Sequence, residues 1–168
     1  MPEDAGTQAR SRPPDFSPVP LPSYGRPVRI QIPRIRVDSA VVEVGVRDGE
    51  YRVPPWQVGH HVDSRYPGER GNSVFNGHLE TIYAGRVFAR LKELEVGDML
   101  YVYTITHRLD WVVEEVRTVP NGDSSFILPT QDTQVTLYTC AGRYDRLARR
   151  YSHWLVVVGK MVDVVPLA

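Results

Sequence analysis

The chain is organised around Val135-Thr136-Leu137-Tyr138-Thr139-Cys140, a short run that ends on the only cysteine in the protein. Its Val, Leu, Tyr and Thr side chains favour a pleated backbone, so the run predicts a β-strand with Cys140 at its carboxyl end. Residues 141–146 then include two arginines, and we expect nearby cations to favour the thiolate form of this cysteine. An isolated cysteine is also commonly a small core residue. The run alone therefore leaves both a structural and a chemical role open.

The overall composition is that of one globular domain. At 168 residues the chain suits a single core with some tail, and its 20 Lys and Arg residues balance its 20 Asp and Glu residues. This balance argues against binding to nucleic acid or to an anionic membrane surface. No apolar run approaches the roughly 20 residues of a membrane-spanning helix. We therefore expect that any membrane anchor of the native protein lies outside this chain.

The amino-terminal residues differ from the rest of the sequence. Half of the 14 prolines fall within residues 1–27, where apolar residues show almost no periodic pattern. Such a composition is typical of an extended tail or linker. We divide the chain into a proline-rich tail over residues 1–26 and one folded domain over residues 27–168.

The folded domain reads as a succession of short strands. Alternating or apolar segments separated by turn residues predict strands within 29–37, 40–46, 51–55, 72–78, 99–106, 110–119, 135–140 and 154–165. Residues 56–69 look irregular. Residues 86–94 predict a helix, because their apolar positions fall on one helical face. Many short strands with one or two helices indicate a β-barrel or a β-sandwich.

Two of the predicted strands end on residues that suit covalent chemistry. The strand over residues 72–78 ends on His78, just as the strand over residues 135–140 ends on Cys140. If these strands run parallel and adjacent, about 4.8 Å apart, both side chains emerge at the same rim of a barrel. A thiol beside an imidazole is the arrangement of a cysteine nucleophile with its acid–base partner.

Four stretches, in order along the chain, resemble the sortases, the cysteine transpeptidases of Gram-positive-type cell surfaces. They are the opening strand RIQIPRI at 29–35, PGERGNSVFNGH at 67–78, GRVFARL at 85–91, and TLYTC at 136–140. The resemblance covers nearly all of residues 26–165. The resemblance is to sortases of classes D, E and F, and it does not assign the chain to one of these classes.

This resemblance implies an all-β fold, an eight-stranded sortase-type β-barrel with one or two short helices. It also implies that Cys140 attacks the Thr–Gly carbonyl of a sorting signal such as LPxTG or LAxTG. His78 would protonate the leaving amine, and an amine of a peptidoglycan peptide or a pilin lysine would then resolve the thioacyl intermediate. The implied setting is extracytoplasmic, at the cell surface, with the native protein anchored in the membrane. No cofactor and no metal is expected.

One family residue has no direct counterpart. Sortases place an arginine at the start of the strand after the cysteine, where it steadies the substrate and the developing oxyanion. Counting forward from Cys140 by the family's loop length reaches His153, and counting back from the following strand reaches Trp154. If that strand begins early, Arg150 shares a face with Trp154. We take Arg150 as the candidate, with Arg149 and His153 as alternatives.

Other features carry weaker expectations. The spacing of His60, His61 and Asp63 does not support a metal site, and we expect surface or groove-lining roles for the two histidines. The turn at 66–68 and the connection 120–133 are expected to wall the peptide groove.

The tail segment Leu21-Pro22-Ser23-Tyr24-Gly25 resembles a sorting signal with Tyr in place of Thr. We favour a chance similarity, and the alternative is a tail that docks over Cys140. Two other functions also stay open. One is a cysteine peptidase that only hydrolyses, and the other is a catalytically impaired peptide-binding module, which the missing arginine suggests.

Overall fold

The computed structural model describes residues 23–168, so most of the predicted tail lies outside it. The described residues form ten strands: β1 (Arg29–Ile32), β2 (Val37–Val44), β3 (Val46–Arg47), β4 (Glu50–Tyr51), β5 (Val58–His61), β6 (Asn72–Asn76), β7 (Met99–Tyr103), β8 (His107–Pro120), β9 (Gln134–Asp145) and β10 (Arg150–Pro166). Three 3-10 helices span Pro33–Ile35, Leu91–Glu93 and Ser125–Ile127. Among these residues, no helix has the length and apolar character needed to cross a membrane.

Eight of the strands close into a barrel in the order β1-β2-β5-β6-β9-β10-β8-β7. Two neighbouring pairs, β2–β5 and β6–β9, run parallel, and the other pairs are antiparallel. The remaining strands, β3 and β4, form a small hairpin whose turn residues Asp48 and Gly49 both have positive φ angles, as an Asp-Gly turn predicts. The predicted all-β, eight-stranded fold is confirmed.

Side chains along the long strands alternate between two apolar clusters. On β9 and β10, Leu137 and Val157 belong to the large cluster that fills the barrel, whereas Tyr138 and Val156 belong to a smaller one. Since successive strand residues point to opposite faces, the smaller cluster lies on the outside of the barrel. Phe126, in the β8–β9 connection, covers this outer cluster. One patch of the outer sheet face is thus apolar and is covered by the β8–β9 connection.

The predicted helix over residues 86–94 is wrong. The backbone there makes successive i to i+3 hydrogen bonds, and only Leu91–Glu93 is regular enough to form a 3-10 helix. The buried side chains Phe88, Leu91 and Leu94 recur every three residues, which matches the three-residue turn of a 3-10 helix. The sequence thus predicts the apolar face of this segment correctly, but the buried residues repeat with the period of a 3-10 helix and not with that of an α-helix.

The strand predictions also missed two parts of the sheet. Residues 58–61, taken as irregular, form β5, a fully buried strand whose Val-Gly-His-His sequence shows no alternation. The basic segment after Cys140, taken as a loop, is largely the end of β9 and the start of β10. Both differences bear on the candidate site, because β5 lies beside β6 and the β9–β10 hairpin starts at Cys140.

Candidate active site

The β6–β9 pair brings His78 and Cys140 to the same level of the barrel. These strands run parallel, with Val74 opposite Thr136 and Asn76 opposite Tyr138. β6 ends at Asn76, and continuing the same register two residues beyond it sets His78 level with Cys140. The Thr139 hydroxyl donates a 2.7 Å hydrogen bond to the Gly77 carbonyl, which holds the two strand ends together just before these residues. The parallel, adjacent arrangement considered from the sequence is therefore present.

The backbone around His78 is fixed by close packing. A Cβ atom on Gly77 would lie 2.7 Å from side-chain atoms of both Phe88 and Val87, so glycine lets the strand end approach the following segment. The Phe88 amide then donates a 3.0 Å hydrogen bond to the His78 carbonyl. Since Phe88 is fully buried, the segment 86–94 holds His78 against the barrel even though it is not an α-helix.

Cys140 is half-buried and lines a cavity of about 510 Å³ at the end of the barrel. Most of the lining is apolar, including Phe88 and Leu155, and polar groups come from Lys92, Thr118 and His153. Cys140 thus borders this cavity, while strand alternation directs its side chain to the outer face, the side of Tyr138 and Trp154.

Burial shifts both members of the pair towards their neutral forms. It raises the pKa of the Cys140 thiol and lowers the pKa of His78, although a hydrogen bond to the backbone of Val53 partly offsets the second shift. The expectation that the following arginines ease ionisation of Cys140 is therefore wrong for the unliganded protein. Desolvation outweighs the cations because Arg143 and Arg146 are exposed on the hairpin beyond it.

The structure does not bring Arg150 beside Cys140. In the β9–β10 ladder Arg150 pairs with Asp145, five residues beyond Cys140, which is about 16 Å along an extended strand. Arg149 lies in the hairpin turn with a φ of 53°. Trp154 pairs with Cys140 itself, and His153 pairs with Ala141. Of the three candidates for the missing arginine, only His153 lines the cavity that Cys140 borders.

His60 and His61 are both buried, so the surface role is wrong, but His61 does line a cavity next to the β8–β9 connection. The Nδ1 atom of His60 lies 2.9 Å from both carboxylate oxygens of Glu43, and its Nε2 lies 2.9 Å from the Arg65 carbonyl. This histidine ties β5 to β2 and to the loop before β6. Among the described residues, no group of three or more His, Cys, Asp or Glu side chains is placed to bind a metal ion.

His61 belongs to a polar network next to the site that the sequence did not reveal. Its Nε2 lies 2.7 Å from the Tyr138 hydroxyl, and its ring stacks on Tyr51 with centroids 3.6 Å apart. Burial lowers the pKa of His61 to about 4, so the ring is neutral at physiological pH. Asn76 also donates to the Tyr138 hydroxyl, at 3.3 Å. Tyr138 and Asn76 each lie two residues before a member of the Cys140–His78 pair, so the network supports the same strand ends.

Of the two segments expected to wall a peptide groove, the β8–β9 connection borders a cavity. Residues 127–129 of the β8–β9 connection line a second cavity of about 510 Å³ together with Tyr51 and His61, over the outer sheet face. The turn at 66–68 does not wall this region. A Cβ on Gly68 would lie 2.6 Å from Leu109 and from the Tyr24 ring, which places the turn near the amino-terminal end of β6. That is the end of the barrel opposite to His78.

The described part of the sorting-signal-like segment lies at that same far end. The Ser23 hydroxyl donates a 2.9 Å hydrogen bond to Glu69, and the Tyr24 ring packs edge-on against His107 with centroids 4.8 Å apart. His107 pairs with Pro166 at one end of the β8–β10 ladder, whereas Trp154, opposite Cys140, pairs near the other. Residues 23–25 therefore do not cover Cys140. Leu21 and Pro22 lie outside the described residues.

Two comparisons of the sequence with known proteins both match sortases. The family model of the sortase domain matches residues 30–162, which is most of the chain. Sortase D of Bacillus subtilis (strain 168) is 32% identical over 112 residues, covering 66% of this chain and 52% of that protein. The chain thus spans about half the length of this curated relative.

Solved structures share the same barrel. Sortase A of Listeria monocytogenes superposes with a TM-score of 0.69 at 21% identity, covering 86% of this chain and 92% of the other. The sortase D5 transpeptidase of Clostridium perfringens gives a TM-score of 0.66 at 23% identity, covering 80% and 78%. At these identities the likeness concerns the fold. It supports the strand order found here.

Proposed function

The chain belongs to the sortase family, and we propose that it is a transpeptidase whose nucleophile is Cys140 and whose acid–base group is His78. The observation that supports this proposal is the parallel β6–β9 register, whose last pair, Asn76 and Tyr138, lies two residues before His78 and Cys140. Cys140 is also only half-buried and lies on the outer sheet face with Tyr138, where a bound peptide carbonyl would have access to its thiol.

In the first step the thiol proton passes to His78 and the sulfur attacks the carbonyl carbon of the Thr–Gly bond in an LPxTG- or LAxTG-type sorting signal. The C–N bond then breaks, and the leaving amine takes the proton from His78. A thioester joins the acyl part to Cys140. In the second step an amine attacks the thioester, gives a proton to His78 and releases the sulfur. This amine belongs to a peptidoglycan peptide or a pilin lysine.

The outer sheet face is the natural floor for the peptide. Tyr138 lies on it two residues before Cys140, and the β8–β9 connection with Ile127 to Pro129 borders it. An extended peptide lying along this face would present its scissile carbonyl at the strand ends. Work at the cell surface on surface proteins follows from this substrate class. It is part of the same proposal.

A hydrolytic cysteine peptidase shares the first step and differs only in the acceptor. The apolar lining of the cavity around Cys140 favours an amine over water, since an amine-bearing chain gains from packing there. A peptide-binding module without catalysis would need no level pair of thiol and imidazole. The β6–β9 register therefore argues against that alternative.

Mass spectrometry of the intact protein after incubation with a panel of LPxTG and LAxTG peptides tests the proposal. We expect a covalent adduct on Cys140 that equals the acyl part of the peptide, and its transfer to an added oligoglycine or lysine peptide. The Cys140→Ala variant serves as the control without a nucleophile. An adduct that decays equally fast with and without the amine would identify a hydrolase. Peptide binding with no adduct at all would identify a binding module.

A further inference from the structure

Two segments leave the barrel at the end where the candidate catalytic pair lies. One is the loop over residues 79–86, which follows His78, and the other is the β9–β10 hairpin over residues 141–151, which follows Cys140. Leu79 of the loop and Gly142 of the hairpin line the same cavity. The two segments are therefore neighbours where they leave the barrel.

These segments expose apolar side chains to an unusual degree. Among the residues that the structure describes, the three most exposed large apolar side chains are Leu147 at 98%, Tyr83 at 90% and Ile82 at 87%. Single exposed apolar residues are normal on a soluble protein, whereas a group of them beside charged residues is typical of an interaction surface. Leu147 lies in the hairpin turn, and the other two lie in the loop.

The same segments concentrate positive charge in a chain that is neutral overall. They carry five arginines and only two carboxylates, those of Glu80 and Asp145. Four of the arginines belong to the hairpin, are exposed and, within residues 23–168, form no ion pair: Arg143, Arg146, Arg149 and Arg150. The charge balance of the whole chain, which argues against an anionic surface, thus conceals one local excess of cations.

The hairpin is held in shape by its own contacts. The Asp145 carboxylate accepts hydrogen bonds from the Leu147 and Ala148 amides, at 2.8 and 3.0 Å, which closes the turn. On the stem, the Tyr144 and Tyr151 rings pack together with centroids 5.2 Å apart. An ordered turn therefore presents the apolar tip to solvent, with arginines on both sides of it.

An anionic lipid bilayer matches both features of this surface. Clustered arginines are attracted to its charged headgroups. Exposed leucine and aromatic side chains gain free energy when they enter the boundary between the headgroups and the acyl chains. A water-soluble polyanion would use the arginines but would leave Leu147, Ile82 and Tyr83 in water. The combination therefore favours the bilayer.

We propose that the β9–β10 hairpin and the 79–86 loop dock on an anionic lipid bilayer, with Leu147, Ile82 and Tyr83 entering its surface and the hairpin arginines contacting its phosphate groups. Cys140 lies five residues before the end of β9, so about 16 Å of extended strand separates it from the docked turn. Docking thus holds Cys140 close to the lipid surface. This inference goes beyond the transpeptidase function and does not depend on it.

Flotation of the full chain with lipid vesicles tests the proposal. The protein should float at low salt with phosphatidylcholine vesicles that contain phosphatidylglycerol, and should stay in solution with phosphatidylcholine alone. Arg146→Gln combined with Arg150→Gln should weaken binding roughly 25-fold, which is about fivefold for each arginine near the surface. Leu147→Ser should weaken it roughly 10-fold, because one leucine no longer enters the interface.

Matched controls come from the opposite end of the barrel. Arg26→Gln combined with Arg70→Gln removes the same charge, and Ile105→Ser removes one exposed apolar side chain from the β7–β8 turn. Both should bind the vesicles as the wild type does. In a Cys140→Ala background, a polarity-sensitive dye on Leu147→Cys should shift its emission to the blue on anionic vesicles, and the same dye on Ile105→Cys should not.

Equal weakening by the hairpin variants and by their controls would overturn the proposal, because binding would then follow total charge. Failure of the wild type to float with phosphatidylglycerol vesicles would overturn it as well. Binding that is weakened by the arginine changes but not by Leu147→Ser, with no dye shift, would identify the partner as a soluble polyanion instead of a bilayer. None of these outcomes affects the acyl adduct expected on Cys140, so the transpeptidase proposal is tested separately.

Discussion

Cys140 and His78 are each half-buried, and desolvation disfavours the charged form of both. Burial raises the pKa of the thiol above its ordinary value of about 8.5 and lowers the pKa of the imidazole below its ordinary value of about 6.5. At neutral pH the pair therefore holds one proton, which resides mainly on sulfur. The thiolate–imidazolium form is then a minor species.

The proposed mechanism needs one proton on the pair, so its rate should depend on pH as a broad bell. As pH falls through the lowered pKa of His78, the imidazole gains a second proton and cannot accept the one from the thiol. As pH rises through the raised pKa of Cys140, the pair loses the proton that the leaving amine needs. We expect the acid limb of kcat/KM to lie below about pH 6.5 and the alkaline limb above about pH 8.5. Initial rates of peptide cleavage across pH 5 to 10.5 measure this directly. A narrow optimum with an alkaline limb near neutrality would contradict the shifts.

His61 offers a separate test at the level of stability. Its pKa is about 4 in the folded protein, because the ring is buried, against about 6.5 in the unfolded chain. Between these values the unfolded state binds a proton that the folded state does not, so the free energy of unfolding decreases as pH falls. Each pH unit costs up to about 1.4 kcal/mol, which amounts to about 2 kcal/mol between pH 7.5 and pH 5.

The His61→Gln variant keeps a hydrogen-bonding group near Tyr138 but has no proton to gain. Urea unfolding of both proteins at pH 7.5 and pH 5 should show a loss for the wild type that exceeds the loss for the variant by about 2 kcal/mol. The other titrating groups are common to both proteins and cancel in this difference. Equal losses would mean that His61 is protonated, or already solvated, in the folded state.

At the scale of elements, the sequence predicted strands best where one face is buried and the other is solvated. β2 alternates buried and exposed side chains along most of its length, and its strand was recognised. All four residues of β5 are buried, so side chains on both of its faces are covered and no alternation exists to be read. Its Gly59 does carry a signal in retrospect. A Cβ there would clash with the Asn76 side chain and lie 2.9 Å from Pro54, so only glycine fits at this position of the strand.

The β9–β10 hairpin shows why Arg150 does not lie beside Cys140. Counting along the chain assumes a regular ladder, and on that basis Arg150 shares a face with Trp154. The ladder is regular as far as the pair of His153 with Ala141, and the bulge at Gly142 shifts the register only beyond it, so that Arg150 pairs with Asp145. A bulge depends on one glycine with positive φ and on a serine side chain across the ladder. Neither periodicity nor charge pattern reports such a feature.

At the scale of the whole molecule, the candidate catalytic residues and the amino-terminal contacts lie at opposite ends of the barrel. Cys140, His78 and the outer apolar patch lie towards one end, where β6 and the core part of β9 finish. The amino-terminal residues 23–25 and the turn at 66–68 pack at the other. The barrel and its level pair of strand ends could be predicted from motif order. The separation of the two ends could not, because it depends on where the turn before β6 lies in space.

Tyr24 lies at the end of the barrel opposite to Cys140 and His78, so removing its side chain should lower stability and leave activity intact. Its ring packs against Gly68, against the edge of His107 and on the barrel core, and is partly buried. For Tyr24→Ala we expect a loss of about 2 kcal/mol, less than for a fully buried aromatic ring, and a fall in Tm of roughly 4–8 °C. Well below the new Tm, the rate of Cys140 acylation should equal that of the wild type. Thermal melts and acylation rates measured on the same samples make the comparison. Slower acylation by a fully folded variant would mean that the two ends of the barrel are coupled, and that the amino-terminal contacts help to set the position of the catalytic pair.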